Sequence, residues 1–440
     1  MKISLIQPAT PGTEGWCPPL GLAYLATTLE RENHGVDIID LNAEPLTDTA
    51  LLQRIASSDL IGLTSTMASQ KEALRLAHLM DGGRIIFGGP QASARPEPYL
   101  QIPGSIIFEG EAEISLPQYL QKLSKGQDGL DTPGIIHLDV QKKIIRNPRA
   151  PLITRIDEVG LPARHLLNMQ AYTVRLAGRR ATNMMSSRGC PFSCIFCYHD
   201  YLGKVYRARS ADNVVQEMEI LRNLYDIEAI LFYDDNFTLQ RRRVEEICDA
   251  INERGLDMKW RCYSRVNGID KGLLAKMKQA GCCEIVFGVE SGNQRTLDLS
   301  CKGIRVEESI NALRLCQEVG ISTKSYLMIG FPWETLDDLE QTVKFVDQIL
   351  PSQVHVVIVT PFPGTPLENM LHEQGINVDE NIDITGIAQP SFETKHFTRQ
   401  DLLHYRDLAY EKIRGSNVQH VLAYDWKQDP DWRKQFKRSS

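Results

Sequence analysis

Ser187-Arg188-Gly189-Cys190-Pro191-Phe192-Ser193-Cys194-Ile195-Phe196-Cys197-Tyr198 carries three cysteines at C-x3-C-x2-C spacing within eight residues. Thiolates this close suit a cluster of four irons and four sulfides, which takes soft sulfur ligands. Most such clusters take four thiolates. Three leave one iron without a protein ligand, and an open iron is a place for chemistry. Gly189 and Pro191 suit a loop that folds back around an inorganic cube. The spacing also leaves zinc open. Zinc takes four ligands, usually as paired C-x2-C units, and His199 would complete a Cys3His set. A disulfide would leave one cysteine over.

The chain around this stretch has 440 residues, room for about two or three domains. Hydrophobic residues are 42% and charged residues 24%, ordinary values for a soluble globular protein. The net charge of −7 offers no overall basic field for nucleic acid. Met1 to Pro8 reads as a strand stopped by proline, not as a signal peptide. No apolar run approaches the roughly 18 residues that a membrane span needs. The ten cysteines show no paired spacing outside the central stretch, which points to reduced thiols and a cytoplasmic enzyme.

Upstream, residues 1–125 alternate strand and helix patterns. Strands are expected at 2–7, 36–41, 60–64, 84–87 and 105–108, with helices at 20–30, 51–56 and 70–80. That alternation predicts a doubly wound, Rossmann-like parallel sheet with ligand loops at the strand carboxyl ends. No G-x-G-x-x-G follows the first strand, so a dinucleotide site is not expected. Residues 126–175 read as a connector, in which 135–138 and 143–146 can form a small hairpin before several prolines.

Downstream the alternation resumes. Strands are expected at 182–187, 229–233, 258–262, 284–288, 323–328 and 354–359, with helices between them. Six such repeats predict a partial (β/α)6 barrel of the TIM type over 176–370, with its site at the strand carboxyl ends. Thr335 is the expected N-cap of a helix at 336–349. Residues 371–440 form a small C-terminal region with one helix at 401–414 and an aromatic, basic tail around Trp426 and Trp432. Such a tail is more often a solvated end than a nucleic-acid contact.

The cysteine stretch resembles the radical SAM enzymes, whose signature is C-x3-C-x-(aromatic)-C, with Phe196 at the aromatic position. The resemblance implies a [4Fe-4S] cluster on Cys190, Cys194 and Cys197, and S-adenosylmethionine chelated by its open iron. It also implies the six-strand barrel. It places Asp234 and Asp235 near the methionine amino group, and Glu290 with Ser291 near the ribose or amino group. Gly330 and Pro332 fall in the turn near the adenine. A guanidinium at Arg265 can pair with the methionine carboxylate, although Arg265 taken alone reads equally well as a surface ion pair.

The N-terminal part resembles the cobalamin-binding domain that precedes some radical SAM domains. The matching pieces are Pro18-Pro19-Leu20-Gly21-Leu22, Thr64-Ser65-Thr66-Met67, Gly88-Gly89-Pro90 and Glu109-Gly110-Glu111. Ser65, Thr66, Gly88, Gly89 and Glu109 would let a corrin or its tail approach the backbone. One departure is clear. Where the cobalamin domains that place a histidine on cobalt carry D-x-H-x-x-G, this chain has Asp40-Leu41-Asn42-Ala43-Glu44-Pro45, so Asn42 replaces the histidine and Pro45 the glycine, a departure common among the radical SAM relatives it resembles.

Cys248, Cys262, Cys282, Cys283, Cys301 and Cys316 are ungrouped and read as core or incidental thiols. The resemblance therefore implies a single cluster. It further implies reductive cleavage of S-adenosylmethionine to a 5′-deoxyadenosyl radical, driven by an external one-electron donor of flavodoxin or ferredoxin type. With cobalamin, the outcome implied is methylation of an unactivated carbon or phosphorus in a small molecule. The rival is a dehydration, cyclisation or rearrangement on the same architecture with a vestigial cobalamin domain. A non-enzymatic iron–sulfur or zinc module would not need the strand-end residues.

Overall fold

The computed structural model describes residues 1–10, 17–80, 84–198, 201–349, 352–379 and 389–415. Two seven-stranded sheets organise it. The first contains β1 (Lys2–Gln7), β2 (Gly35–Asp40), β3 (Leu60–Thr64), β4 (Ile85–Gly88), β5 (Ile106–Phe108), β6 (Ile135–Leu138) and β7 (Ile144–Arg146), in the order β2-β1-β3-β4-β5-β6-β7. The first five run parallel. Side chains alternate across this sheet, as a strand's two-residue period requires. Ile85 and Phe87 pack on one face with α2 (Asp48–Ile55) and α3 (Gln70–Leu79), after α1 (Leu20–Arg31) in the chain. Ile86, Ile106 and Phe108 pack on the other face, where α1 lies. Both faces are therefore covered, and the expected doubly wound sheet is present.

The short helices α4 (Pro90–Ala94) and α5 (Glu97–Leu100) follow β4, and α6 (Ala112–Ser124) follows β5. The sequence pattern named no helix at 112–124; α6 forms there with Pro117 inside it, where the ring removes one backbone donor. A second difference lies at the sheet edge. The expected hairpin forms, but it belongs to the first sheet: β6 pairs antiparallel with β5, Ile107 opposite Ile136 and Phe108 opposite Ile135. Ile135 and Ile136 are buried there, so the hairpin covers what would be a bare three-residue edge strand.

The second sheet contains β8 (Arg175–Leu176) and β9 (Arg179–Met184), then, after the short pair β10 (Ser187–Arg188) and β11 (Arg207–Ala208), β12 (Ala229–Phe232), β13 (Lys259–Ser264), β14 (Cys282–Glu290), β15 (Ser322–Ile329) and β16 (Gln353–Ile358). Its order is β16-β15-β14-β13-β12-β9-β8. From β9 to β16 every neighbour is parallel and in chain order, the winding of a partial barrel. The connecting helices are α7 (Ala211–Tyr225), α8 (Arg241–Glu253), α9 (Lys271–Gln279), α10 (Gln294–Leu299), α11 (Val306–Val319) and α12 (Leu336–Ile349). Strand residues such as Trp260, Cys262, Ile285, Phe287, Leu327 and Val356 join the buried helix-facing core. The alternate positions face the barrel interior. Thr335 caps α12 as expected: its hydroxyl accepts from the Asp338 N–H at 3.4 Å, and its own N–H donates to the Asp338 carboxylate at 2.9 Å.

The first barrel strand ends earlier than its apolar pattern predicts. Ser187 and Arg188 leave the sheet and pair antiparallel with Ala208 and Arg207, closing the cysteine loop at its base. Beyond β16 come α13 (Pro366–Glu373), capped by Thr365, and α14 (Arg399–Gly415), which packs on α12 and β16. The tail with Trp426 and Trp432 lies outside the described residues, as does His199.

Buried polar contacts join the two sheets' domains. Tyr172 donates to Asp40 at 2.9 Å. The Asn183 side-chain amide donates to the Pro18 carbonyl at 3.0 Å. Glu111, just past β5, accepts from Arg188 at 2.7 Å and also from Arg207. Both domains thus turn their strand carboxyl ends toward the cysteine loop.

Candidate active site

The cysteine loop is held from below by Asp234. This carboxylate accepts from the Ser186 N–H at 2.7 Å and from the Ser186 and Ser187 hydroxyls at 2.5 and 2.6 Å. Arg243 donates to the Ser186 carbonyl at 2.8 Å beside it. Asp235, the next residue, accepts from the Gly189 N–H at 3.0 Å. Gly189 itself has φ +81°, and a Cβ there would run into the Val205 carbonyl. Only glycine fits that turn without strain.

Cys190, Cys194 and Cys197 line one cavity of about 400 Å3 at the carboxyl end of the barrel. Asp235, Arg265, Glu290 and Lys302 share its wall with Phe196 and Tyr198. Among the described residues, no three His, Cys, Asp or Glu side chains converge as the ligands of one bare ion do. The thiols border a common space instead, and a cube spreads its three thiolate ligands over three irons. Burial pushes the Cys190 thiol up from its ordinary value. A bound metal reverses that preference, since it takes thiolates.

Arg265 is buried, so the surface ion pair left open by its sequence does not form. Its guanidinium lies over the Phe192 ring, 3.8 Å from the centroid, and donates to Cys194 Sγ at 3.6 Å and to the Lys302 carbonyl. Glu290 stands at the end of β14 with φ +67° and accepts from Lys302 Nζ at 2.7 Å. Both side chains are nearly covered, at 9% and 6% exposure, so this pair is a fixed part of the wall. Lys302 was not found by sequence reasoning. It follows a left-handed Cys301 in a loop between two helices, a place without motif or strand signal.

The other predicted residues divide. Phe196 lines the cavity and packs edge-on against Phe331, 5.9 Å between centroids. Ser291 is fully buried and shares a 2.9 Å hydrogen bond with Thr342 behind the wall. Gly330 and Pro332 are not in the lining. The Gly330 and Phe331 N–H groups donate to Glu334 at 2.7 and 2.9 Å, and burial pushes that carboxyl up to about 7. Asp234 is also outside the lining, its oxygens engaged under the loop as described.

In the first domain, Asn42 ties two strand-end loops together. Its oxygen accepts from the Thr10 N–H at 2.6 Å and its amide donates to Asp40 at 3.1 Å. The Ser65 hydroxyl bonds Tyr99 at 2.6 Å, and Thr66 makes a turn with Ser69. Gly88 ends β4, and Gly89, with φ +93°, passes so close to the Ser65 backbone that a Cβ would clash. Glu109 is paired with Arg146 and Arg149 at 3.0 and 3.1 Å. His34, His78 and His137 lie before β2, in α3 and in β6. None stands in a loop after β1 to β5, so these loops fit a ligand that takes no imidazole.

With this geometry in view, two family profiles match the chain. That of the Radical SAM superfamily covers residues 184–346, and that of the B12 binding domain covers residues 12–120. The chain belongs to the radical SAM superfamily, with a B12-binding domain ahead of the barrel. Its cofactors are accordingly a [4Fe-4S] cluster, S-adenosylmethionine and cobalamin. It is 34% identical over 428 residues, 93% of this chain and 92% of the relative, to an uncharacterized methyltransferase of Pyrococcus horikoshii. It is 25% identical over 417 residues, 81% of this chain and 78% of the relative, to the cytidylyl-2-hydroxyethylphosphonate methyltransferase of Streptomyces wedmorensis. In fold it matches the radical S-adenosylmethionine methyltransferase TsrM of Kitasatospora setae (TM-score 0.75, 21% identity, 85% of this chain and 76% of that one). It also matches the cobalamin-dependent radical enzyme OxsB (TM-score 0.78, 20% identity, 92% and 66%). Among the described residues, no helix is long and apolar enough to cross a membrane.

Proposed function

We propose that this chain is a cobalamin-dependent radical SAM methylase acting on an unactivated carbon or phosphorus of a small molecule. The observation that carries the reading is the meeting of the two domains at the cysteine loop. Glu111, at the carboxyl edge of the first sheet, bonds Arg188, two residues before the first cysteine. Ligands of doubly wound sheets and of barrels both bind at strand carboxyl ends, so both cofactor sites fall beside one cavity.

Cys190, Cys194 and Cys197 would hold the cluster. When bound, it supplies one-electron cleavage of S-adenosylmethionine to a 5′-deoxyadenosyl radical, with the electron drawn from a flavodoxin- or ferredoxin-type donor. Arg265 would present its guanidinium toward the methionine carboxylate. Asp235 and the Glu290–Lys302 pair would orient the amino and ribose groups. Phe196 and Tyr198 would keep water from the reacting face. Residues 1–125 with the following hairpin would hold cobalamin through the loops bearing Asn42, Ser65, Thr66, Gly88, Gly89 and Glu109. Asn42 is a poor cobalt ligand, so the lower face of the corrin would meet no imidazole.

Anaerobic reconstitution with iron, sulfide and cobalamin tests this. About four irons per chain, a bound corrin spectrum and formation of both 5′-deoxyadenosine and S-adenosylhomocysteine are expected. The cob(II) electron resonance should lack the triplet of an axial histidine nitrogen. A triple Cys-to-Ala variant should lose iron while the first domain stays folded. Stoichiometric zinc in place of iron would overturn the cluster. 5′-Deoxyadenosine without S-adenosylhomocysteine would favour a non-methylating outcome.

A further inference from the structure

Among the described residues, the barrel interior below the cysteine cavity carries more positive charge than it balances. Register fixes which side chains share that face. Tyr263 is opposite Val286, and Val286 is opposite Lys324. Tyr263 and Val286 both line the cavity, so Lys324 enters the same row on the same face. Two residues further along β15, Tyr326 lines the cavity, and Lys324 lies one layer below that lining. Arg261 lies one step below Tyr263 on β13, opposite Glu284.

The partners of these cations are few. Arg261 pairs loosely with Glu284, N to O 3.4 Å, and its buried Nε has no hydrogen-bond partner. Among the described residues, the Lys324 ammonium makes no hydrogen bond or ion pair. It lies 5.6 Å from the centroid of the Tyr326 ring. Glu284, the one carboxylate among the described residues that acts on it, is already taken by Arg261. Burial and the neighbouring Arg261 both push the lysine down from its ordinary value. His355, stacked on Tyr326 at 5.1 Å, is held neutral, its pKa pushed down to about 4 by burial and by Lys324. Among the described residues, two cations therefore face one carboxylate in a partly buried space, inside a chain whose net charge is −7. A buried charge without a partner is unfavourable, and a bound anion would relieve it.

From this placement we infer that Lys324 and Arg261 form the floor of the substrate site and bind an anionic group, carboxylate or phosphate, of the small-molecule substrate. Tyr263 and Tyr326 then flank the part of the substrate that rises toward the cysteine loop. The anion anchors one end of the molecule, and the reacting position stands above it. The inference rests on the reading of this cavity as the radical SAM chamber. Its test reads binding alone, without reductant or turnover, so it can fail while that reading stands.

The experiment is thermal unfolding of the full chain with benzoate, phenyl phosphate or the neutral isostere benzamide. A saturable rise in the unfolding midpoint is expected with the anions and not with benzamide. The larger of the two anion responses identifies carboxylate or phosphate. Lys324→Met should weaken the anion response at least about tenfold, the effect of losing a hydrogen bond to a charged group. It should also unfold at a higher temperature than the parent without anion, since the unpaired charge is gone. Lys324→Gln serves if the methionine variant does not fold. Equal shifts with benzamide, an undiminished anion response in the variants, or no response to either anion would overturn the inference.

Discussion

Glu111 and Arg188 meet at 2.7 Å with side chains 3% and 4% exposed, one from the first sheet's last parallel loop and one from the base of the cysteine loop. Glu113 binds the other arm of the same guanidinium at 2.9 Å. The Arg188 ring contact with Tyr24, 5.1 Å from the centroid, completes the seat. The position of the cluster loop is therefore set by the other domain as well as by its own barrel.

Removing one partner of such a buried group leaves charge uncompensated, which costs about 3–5 kcal/mol. Glu111→Gln takes the shared carboxylate from Arg188, which keeps Glu113, and from Arg207, which among the described residues has no other ion-pair partner. It is expected to lower stability by about that amount and to reduce iron retention. Denaturant unfolding of the iron-free protein and iron analysis after reconstitution check the two effects separately.

Arg265 touches both the cavity and a cysteine sulfur. Arg265→Ala should weaken S-adenosylmethionine binding by about 1.5–3 kcal/mol. It should also lower the cluster's reduction potential, because hydrogen bonds to cluster sulfurs stabilise the more negative, reduced state. Equilibrium binding and redox titration followed by electron resonance measure each. An affinity unchanged in Arg265→Ala would remove this residue from the cofactor's contacts.

The Glu290–Lys302 pair makes a different prediction. Lys302→Met leaves a buried carboxylate alone, and Glu290→Gln leaves a buried ammonium alone. Each single change should cost about 3–5 kcal/mol in stability, while the double variant should cost clearly less than their sum. Unfolding of the four proteins of this cycle gives the coupling directly.

Glu334 sets a pH dependence. Its carboxyl is pushed up from 4.5 to about 7, first by burial, so the folded chain holds this proton more tightly than the unfolded one. The associated stability is complete below the unfolded value near 4.5 and is lost as pH rises through about 7. That loss is roughly 3 kcal/mol. Glu334→Gln keeps an acceptor for the Gly330 and Phe331 N–H groups and cannot ionise. Its stability relative to the parent should therefore rise between about pH 5 and pH 8, as urea unfolding at both values would record.

Much of the molecule was legible in the sequence because it is written locally. The strand at 60–64 and the helix at 336–349 fall where their periodicity puts them. The three cysteines are close in the chain, so their joint presence in one cavity needed no tertiary information. The alternation Lys324, Tyr326, Met328 on β15 was also there to be read as an inward face. It passed unnoticed because interior polar residues break the simple apolar pattern of a buried parallel strand.

What the sequence determined by itself was the order of strands and helices, the cysteine loop and the missing histidine at Asn42, since each depends on residues adjacent or a few positions apart. What only the tertiary structure decided was partnership. Asp234 went beneath the loop while its neighbour Asp235 entered the cavity, because successive residues at a strand end point to opposite sides. Lys302 came to Glu290, Glu111 to Arg188, and the hairpin of residues 135–146 to the first sheet across gaps of sequence that no local pattern spans. Those contacts are selected by burial and charge balance in three dimensions, and a linear chain does not carry them.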